Sequence, residues 1–187
     1  MRRKDREMSK DYGFEIIDKS KYGVVCTIDE NVHPYGIPLS IIRNENTLYF
    51  HSSKDGKKVN IFEQNPKLSI AFIGEVEVPE NYTEEELDGI VKDESKAVLL
   101  ISSVFTTEYE SALVKGKVEL LEDEKEKIKA MRLICEKYTP RKMKYFDMAI
   151  GAGLKRTNVY KVEIEDITSK RKKYDVHGEE MKWGRME

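Results

Sequence analysis

Cysteine is scarce: the 187 residues hold only Cys26 and Cys135. They sit in the apolar contexts CTI and LICEKY, and neither has a CxxC partner. A disulfide scaffold is excluded, and zinc or redox-dithiol chemistry has no support. Both cysteines read as buried free thiols in a reducing cytosol. Long hydrophobic runs are also missing. The best apolar stretch, AVLLISSVF, is too short to span a bilayer. The opening MRRKDREMSKDYG is charged and lacks an apolar core, so it is not a secretory signal. These features predict a cytoplasmic protein with no membrane contact. Neither charge sign dominates: 33 basic residues stand against 35 acidic ones, for a net charge of -2. No global basic field exists to attract nucleic acid. Internal repeats and low-complexity tracts are absent from the sequence, and tryptophan occurs once, at Trp183.

What is present fits one domain over residues 1–187, with enough apolar content for a single core. Ser9 is placed to cap a first helix whose apolar face is Phe14, Ile16 and Ile17. The period then shortens to that of strands. Strands are expected over 22–28, 37–42, 47–51 and 68–73, within 108–121, and over 158–164. Pro38 argues for an edge or irregular position, and Gly116 for a bulge. Helices are expected over 57–63 and 122–138, the second with Ile128, Met131, Ile134, Cys135 and Tyr138 facing inward. Six strands with few helices and short turns predict a β-rich fold, a small six-stranded antiparallel barrel rather than a doubly wound sheet. Residues 75–106 interrupt this meander as an inserted helical segment, opening on the capping-box pattern Thr83–Glu86. The insertion either packs over a site or partner or is a surface excursion. Residues 170–187 form a tail. Its Trp183 favours docking, across a dimer or over a cofactor, because indole is costly to leave in water; the alternative is a disordered terminus. The basic run Ser169–Lys173 reads as a solvated strand end.

The segment TLYFHSSKDGKKVNIFEQNP holds the most chemistry. A strand ends in two small hydroxyl residues, Ser52 and Ser53; a glycine turn follows; a helix begins with Lys57 and Lys58. A helix N-terminus offers free N–H groups and a favourable dipole to an anion. The lysines add point charges and the serines add short donors. That is a workable phosphate cradle, although a lysine pair at a helix start is usually a solvated face. His33 and His177 read as exposed loop and tail residues.

The chain also resembles the pyridoxamine-5′-phosphate-oxidase-like flavin split barrels, and within them the nitroimidazole-resistance branch. The resemblance rests on an ordered set spread over nearly the whole chain. It includes Met1–Glu7, Tyr22-Gly23, Pro34–Pro38, Tyr49–Ser52, Gly56–Lys58 and Asn65-Pro66. It continues through Thr107–Ser111 with Gly116, Val159–Ile164 and Ile167–Lys170. The resemblance implies a six-stranded split barrel, a homodimer with FMN sites at the interface, and a small-molecule substrate, possibly a nitro compound. It implies that Gly36, Ile37, Pro38, Leu39, Ser40 and Ile41 run beside the isoalloxazine through backbone groups. His51, Ser52 and Ser53 would lie against the flavin and its ribityl or phosphate end, and Lys57 and Lys58 would hold the phosphate. Ser111 would reach the cofactor from the partner strand. His51 is the candidate catalytic residue; the plainer alternative is a strand-end histidine that packs on the cofactor. Related split barrels bind haem or a deazaflavin, so a non-catalytic cofactor-binding protein is the other reading, with His51 as an axial ligand. The Arg-rich C-terminal segment of the vitamin-oxidase members has no match here beyond Arg185.

Overall fold

The computed structural model describes residues 1–184. Helix α1 (Lys10–Lys19) follows the two-residue strand β1 (Glu7–Met8) and is capped by Ser9, whose Oγ accepts from the Tyr12 N–H at 3.1 Å. Strands β2 (Gly23–Ile28), β3 (Pro34–Leu39), β4 (Ile42–Asn44) and β5 (Thr47–Ser53) form a meander, followed by helix α2 (Lys57–Gln64) and strand β6 (Lys67–Glu77). The insertion holds α3 (Glu84–Val91) and short helical turns to Val104. Strand β7 (Glu108–Leu120), helix α4 (Glu124–Tyr138), helix α5 (Phe146–Gly153) and strand β8 (Thr157–Lys172) complete the order. The fold is mixed α/β around one antiparallel sheet, and among the described residues no helix is long and apolar enough to cross a membrane.

Eight strands, not six, make the sheet, and it is not closed. Their order is β3-β2-β6-β7-β8-β5-β4, and β1 pairs with β8. Two differences account for the count. The strand expected over 37–42 is two strands, because the chain turns at Ser40-Ile41; β3 begins earlier, at Pro34, and lies at the sheet edge, where a proline forfeits no ladder bond. Strand β8 runs 16 residues, so one edge pairs with β5 near Thr157–Glu163 and with β1 at Ser169-Lys170. Gly116 does mark a register shift between β7 and β8; a Cβ there would lie 2.3 Å from the Glu163 carbonyl.

The core fills the concave side of the sheet. Val25, Ile70, Phe72, Val114 and Val162 project into it with Leu48 and Phe50, and α1 adds Ile16 and Ile17. A second cluster lies beneath α4: Tyr49, Leu121, Ala130, Ile134 and Val159. On the opposite face of β2, β6 and β7, Ile73 and Leu113 are exposed. Cys26 is on that face, so it is exposed rather than buried; Cys135 is half-buried. The basic run is a strand end but not a solvated one. Arg171 and Lys172 are buried, Arg171 with its guanidinium 5.6 Å from the Tyr12 ring centre. Tyr174 and Met181 tuck the tail in, and the Trp183 N–H donates to the Asp5 carbonyl at 2.7 Å. The indole itself does not dock: Trp183 is 77% exposed. Arg185 lies outside the described residues.

Candidate functional site

Strand β5 delivers its last residues in alternation. Leu48 and Phe50 enter the core, and Ser52 follows them inward and is buried. His51 and Ser53 therefore face the other side, and His51 is the first residue beyond the cover that α4 gives Tyr49. His51 and Ser52 were expected against one ligand; the pleat sends them to opposite faces. His51 is exposed at its outer edge, yet the protein around its remaining sides desolvates the imidazole and lowers its pKa.

The turn into α2 has the character of an anion cradle. Gly56 occupies the N-cap at φ 119°, a conformation that favours glycine, and no side chain caps the helix. The Val59 N–H donates to the Gly56 carbonyl at 3.0 Å, so the N–H groups of Lys57 and Lys58 are the ones left for a ligand among the described residues. Ser52 Oγ donates to the Ser53 carbonyl at 2.6 Å, and Ser53 Oγ to the Asp55 carbonyl at 2.9 Å. Lys57 Nζ sits 3.0 Å from Asp29 Oδ2 and 5.3 Å from the Tyr35 ring centre. The Lys57 hydrogen bond is the main cause holding the Asp29 carboxyl below its ordinary pKa, and Asp29 reciprocally raises Lys57. Lys58 makes no ion pair among the described residues and is half-buried. Asp29 is the residue that sequence reasoning missed. Its signal was the Asp29-Glu-Asn31 turn, whose carboxylate accepts from the N–H groups of Asn31 and His33 at 3.1 and 2.9 Å.

The expected flavin strand is divided in the same way. Ile37 and Leu39 pack toward the core and Ile41 is fully buried, whereas Gly36, Pro38 and Ser40 are exposed. A groove of about 590 Å³ is lined by Tyr22, Val24, Pro38, Leu39 and Ser40. Its corner is held from α4. Tyr138 Oη accepts from the Ile41 N–H at 2.9 Å and donates to the Ile41 carbonyl at 2.8 Å. Lys137 Nζ donates to the carbonyls of Ile41 and Ile17, both at 3.1 Å. Burial lowers the Lys137 pKa and raises that of Tyr138.

Ser111 is not brought to the cradle. It pairs with Ile73 and Lys170, whereas His51 pairs with Val159. Eleven residues of β8 separate those positions, roughly 36 Å of strand. The end that carries Ser111 also holds a cavity of about 710 Å³ between α1 and β6, with Ile16, Ser20, Tyr22, Ile73 and Glu110 in its wall. Trp183 belongs to that end too, beyond Lys172, so the described part of the tail does not cover the cradle. Among the described residues no group of three or more His, Cys, Asp or Glu side chains is placed to hold a metal ion.

Comparison with known proteins places this geometry. A family model described as pyridoxamine 5′-phosphate oxidase matches residues 9–171. No curated protein matches the chain. A solved structure of a proposed 5-nitroimidazole antibiotic resistance protein from Bacteroides thetaiotaomicron is 25% identical, with a TM-score of 0.65 over 87% of this chain and 84% of that one. A FAD-binding protein from Mesorhizobium loti is 18% identical, with a TM-score of 0.55 over 89% and 96% of the two chains. A FAD- and heme-binding protein from Mycobacterium smegmatis is 14% identical, with a TM-score of 0.67 over 89% and 73%. The last two show likeness of fold.

Proposed function

This chain belongs to the pyridoxamine 5′-phosphate oxidase family, and from that premise we propose that it is an FMN-binding homodimer that reduces a small electrophile, with a nitro compound as the candidate substrate. The observation that carries the reading is the uncapped start of α2, where Gly56, Lys57 and Lys58 converge. A helix start with no side-chain cap, the N–H groups of Lys57 and Lys58 at its head, and a Lys58 ammonium in no ion pair among the described residues suit a terminal phosphate monoester. Lys58 would hold the phosphate directly, and Lys57 would share its charge between the phosphate and Asp29. Gly36, Pro38 and Ser40 would present their side of β3 to the ring system. His51 would meet the ligand with a neutral imidazole at neutral pH, because its pKa lies below the ordinary value. Bound flavin would supply the electron chemistry; the chain supplies orientation and a surface from which water is excluded.

Two features support the homodimer. Ser111 and the cradle lie at opposite ends of β8, too far apart for one flavin to touch both within one protomer. The outer face of β2, β6 and β7 exposes Ile73 and Leu113 beside half-buried Val24, an apolar surface suited to a second copy. The 25% identity to the proposed nitroimidazole-resistance protein supports the substrate class. A second reading, cofactor binding without turnover and with haem in place of flavin, draws on the same neutral, exposed His51, the form of histidine that ligates iron.

Titration separates these readings. FMN and riboflavin share the ring and differ in the phosphate. Lys58→Ala is expected to weaken FMN roughly tenfold or more, the worth of a charge-assisted hydrogen bond, and to leave riboflavin unchanged. Lys57→Ala is expected to weaken FMN less, because Asp29 already engages that ammonium. Equal loss for both ligands, or none, rules out the phosphate assignment. A Soret band on adding haem, with no flavin uptake, transfers the site to the second reading.

A further inference from the structure

The molecule is electrically polarised along β8. Residues 75–106 carry nine acidic side chains against two lysines. This insertion leaves the sheet where Glu77 pairs with Glu108, at the Lys172 end of β8. Residues 141–156 carry the opposite charge: Arg141, Lys142, Lys144, Lys155 and Arg156 against Asp147. Asp147 is already engaged by Arg132 at 2.9 Å, and none of the five basic side chains makes an ion pair among the described residues. Helix α5 in this segment leads into β8, whose Thr157 pairs with Ser53, so the basic segment adjoins Lys54, Lys57 and Lys58. A net charge of -2 conceals one acidic and one basic pole.

Each pole also exposes apolar side chains. The insertion shows Val98, Ile101 and Phe105, the last 79% exposed, and the basic pole shows Tyr145 and Met148, the latter 83% exposed. Apolar groups set among charges of one sign are the composition of an interface awaiting the opposite sign. Within one protomer the poles lie at opposite ends of β8 and cannot meet.

Resting on the homodimer reading, we infer that the acidic insertion of one copy seats on the α5 flank and cradle loop of a second copy, so that each protomer closes the flavin site of the other. An isologous pair brings patch i onto patch j and j onto i, so one arrangement satisfies both contacts. Placing like poles together would repel. The same antiparallel arrangement carries Ser111 of one copy toward the cradle of the other. The insertion then has a role that its position between two paired strands does not otherwise require.

The test is a charge swap in the full-length chain. One variant carries Arg141→Glu, Lys142→Glu and Lys144→Glu; the other carries Glu85→Lys, Asp88→Lys and Glu94→Lys. None of these side chains is buried, and none makes an ion pair among the described residues. Sedimentation at low ionic strength is expected to show each variant dimerising roughly tenfold or more weakly than wild type. An equimolar mixture is expected to recover dimer, because both contacts are again between opposite charges. FMN affinity should fall and recover in parallel. Phe105→Ser and Met148→Gln, at exposed positions, give an independent arm and are each expected to weaken the dimer. A wild-type dimer indifferent to both charge variants, or a mixture that recovers nothing, overturns the inference and leaves the homodimer standing. A monomeric wild-type protein removes both.

Discussion

Replacing Tyr138 by phenylalanine removes one oxygen from the corner that joins β3 to β4. Its hydroxyl accepts from the Ile41 N–H and donates to the Ile41 carbonyl. Ile41 is wholly buried, so water cannot take over either role. The carbonyl keeps a partner in Lys137 Nζ at 3.1 Å, but the N–H has none left. An orphaned buried donor costs about 1–3 kcal/mol, and the middle of that range, about 2 kcal/mol, corresponds to a fall of roughly 4–8 °C in Tm for a chain of this size. Urea unfolding followed by circular dichroism measures it, with an unchanged m-value as the sign that the native state remains compact. Lys137→Met makes the comparison sharper. Its ammonium shares the Ile41 carbonyl with Tyr138, so the two losses should not add, and a double-mutant cycle should show coupling of at least about 0.5 kcal/mol. Since the corner positions Pro38 and Ser40, FMN affinity should fall together with stability. A Tyr138→Phe protein that loses less than about 0.5 kcal/mol, or a cycle that is strictly additive, refutes the reasoning.

Gly116→Ala places a Cβ 2.3 Å from the Glu163 carbonyl and 2.7 Å from Val162 Cγ1, at the register shift between two long strands. Backbone must move, and a loss of about 2–3 kcal/mol or more is expected in thermal or urea unfolding. His51 yields a pH dependence. Its folded pKa is depressed by desolvation, so the unfolded chain binds more protons as pH falls through the ordinary histidine value. Its contribution therefore costs stability on acidification from about pH 6.5 down to the folded pKa, then levels off; subtracting the pH–stability curve of His51→Gln from that of wild type should isolate a slope of that sign.

Much of this architecture is written in local patterns. Alternation located the strands, Pro38 marked an edge, Gly116 marked a bulge, and Thr83 with Glu86 announced the capping box that the structure contains. What escaped was set by neighbours distant in sequence. Alternation in Ser169-Lys-Arg-Lys172 cannot reveal that α1 and the tail cover that strand end, so Arg171 and Lys172 looked solvated and are buried. The segment FDMAIGAG of α5 has mixed helix formers and glycines, and only its packing through Phe146, with Arg132 above the ring, makes the helix visible. Asp29 belongs to an ordinary turn until the fold sets it beside Lys57.

The candidate site itself was legible only as a list of residue types, and the structure changes how that list is to be used. Period-two geometry divides the residues of β5 and β3 between two faces: His51 and Ser53 against Ser52, and Gly36, Pro38 and Ser40 against Ile37, Leu39 and Ile41. A ligand lying on one face of either strand meets every second residue. The same register removes Ser111 from the cradle by most of the length of β8. On the proposed homodimer reading, the residue set forms one site when it is drawn from two chains. Substitutions at Lys58 and Ser111 should then affect the same flavin while residing in different protomers: in a mixture of Lys58→Ala and Ser111→Ala subunits, half of the flavin sites in each heterodimer would carry both changes and the other half neither. An FMN titration resolving one near-wild-type and one doubly weakened class of site would place the two residues across the interface; two singly altered sites, one lacking the Lys58 ammonium and the other the Ser111 hydroxyl, with no wild-type class, would place them on one chain and contradict the register argument.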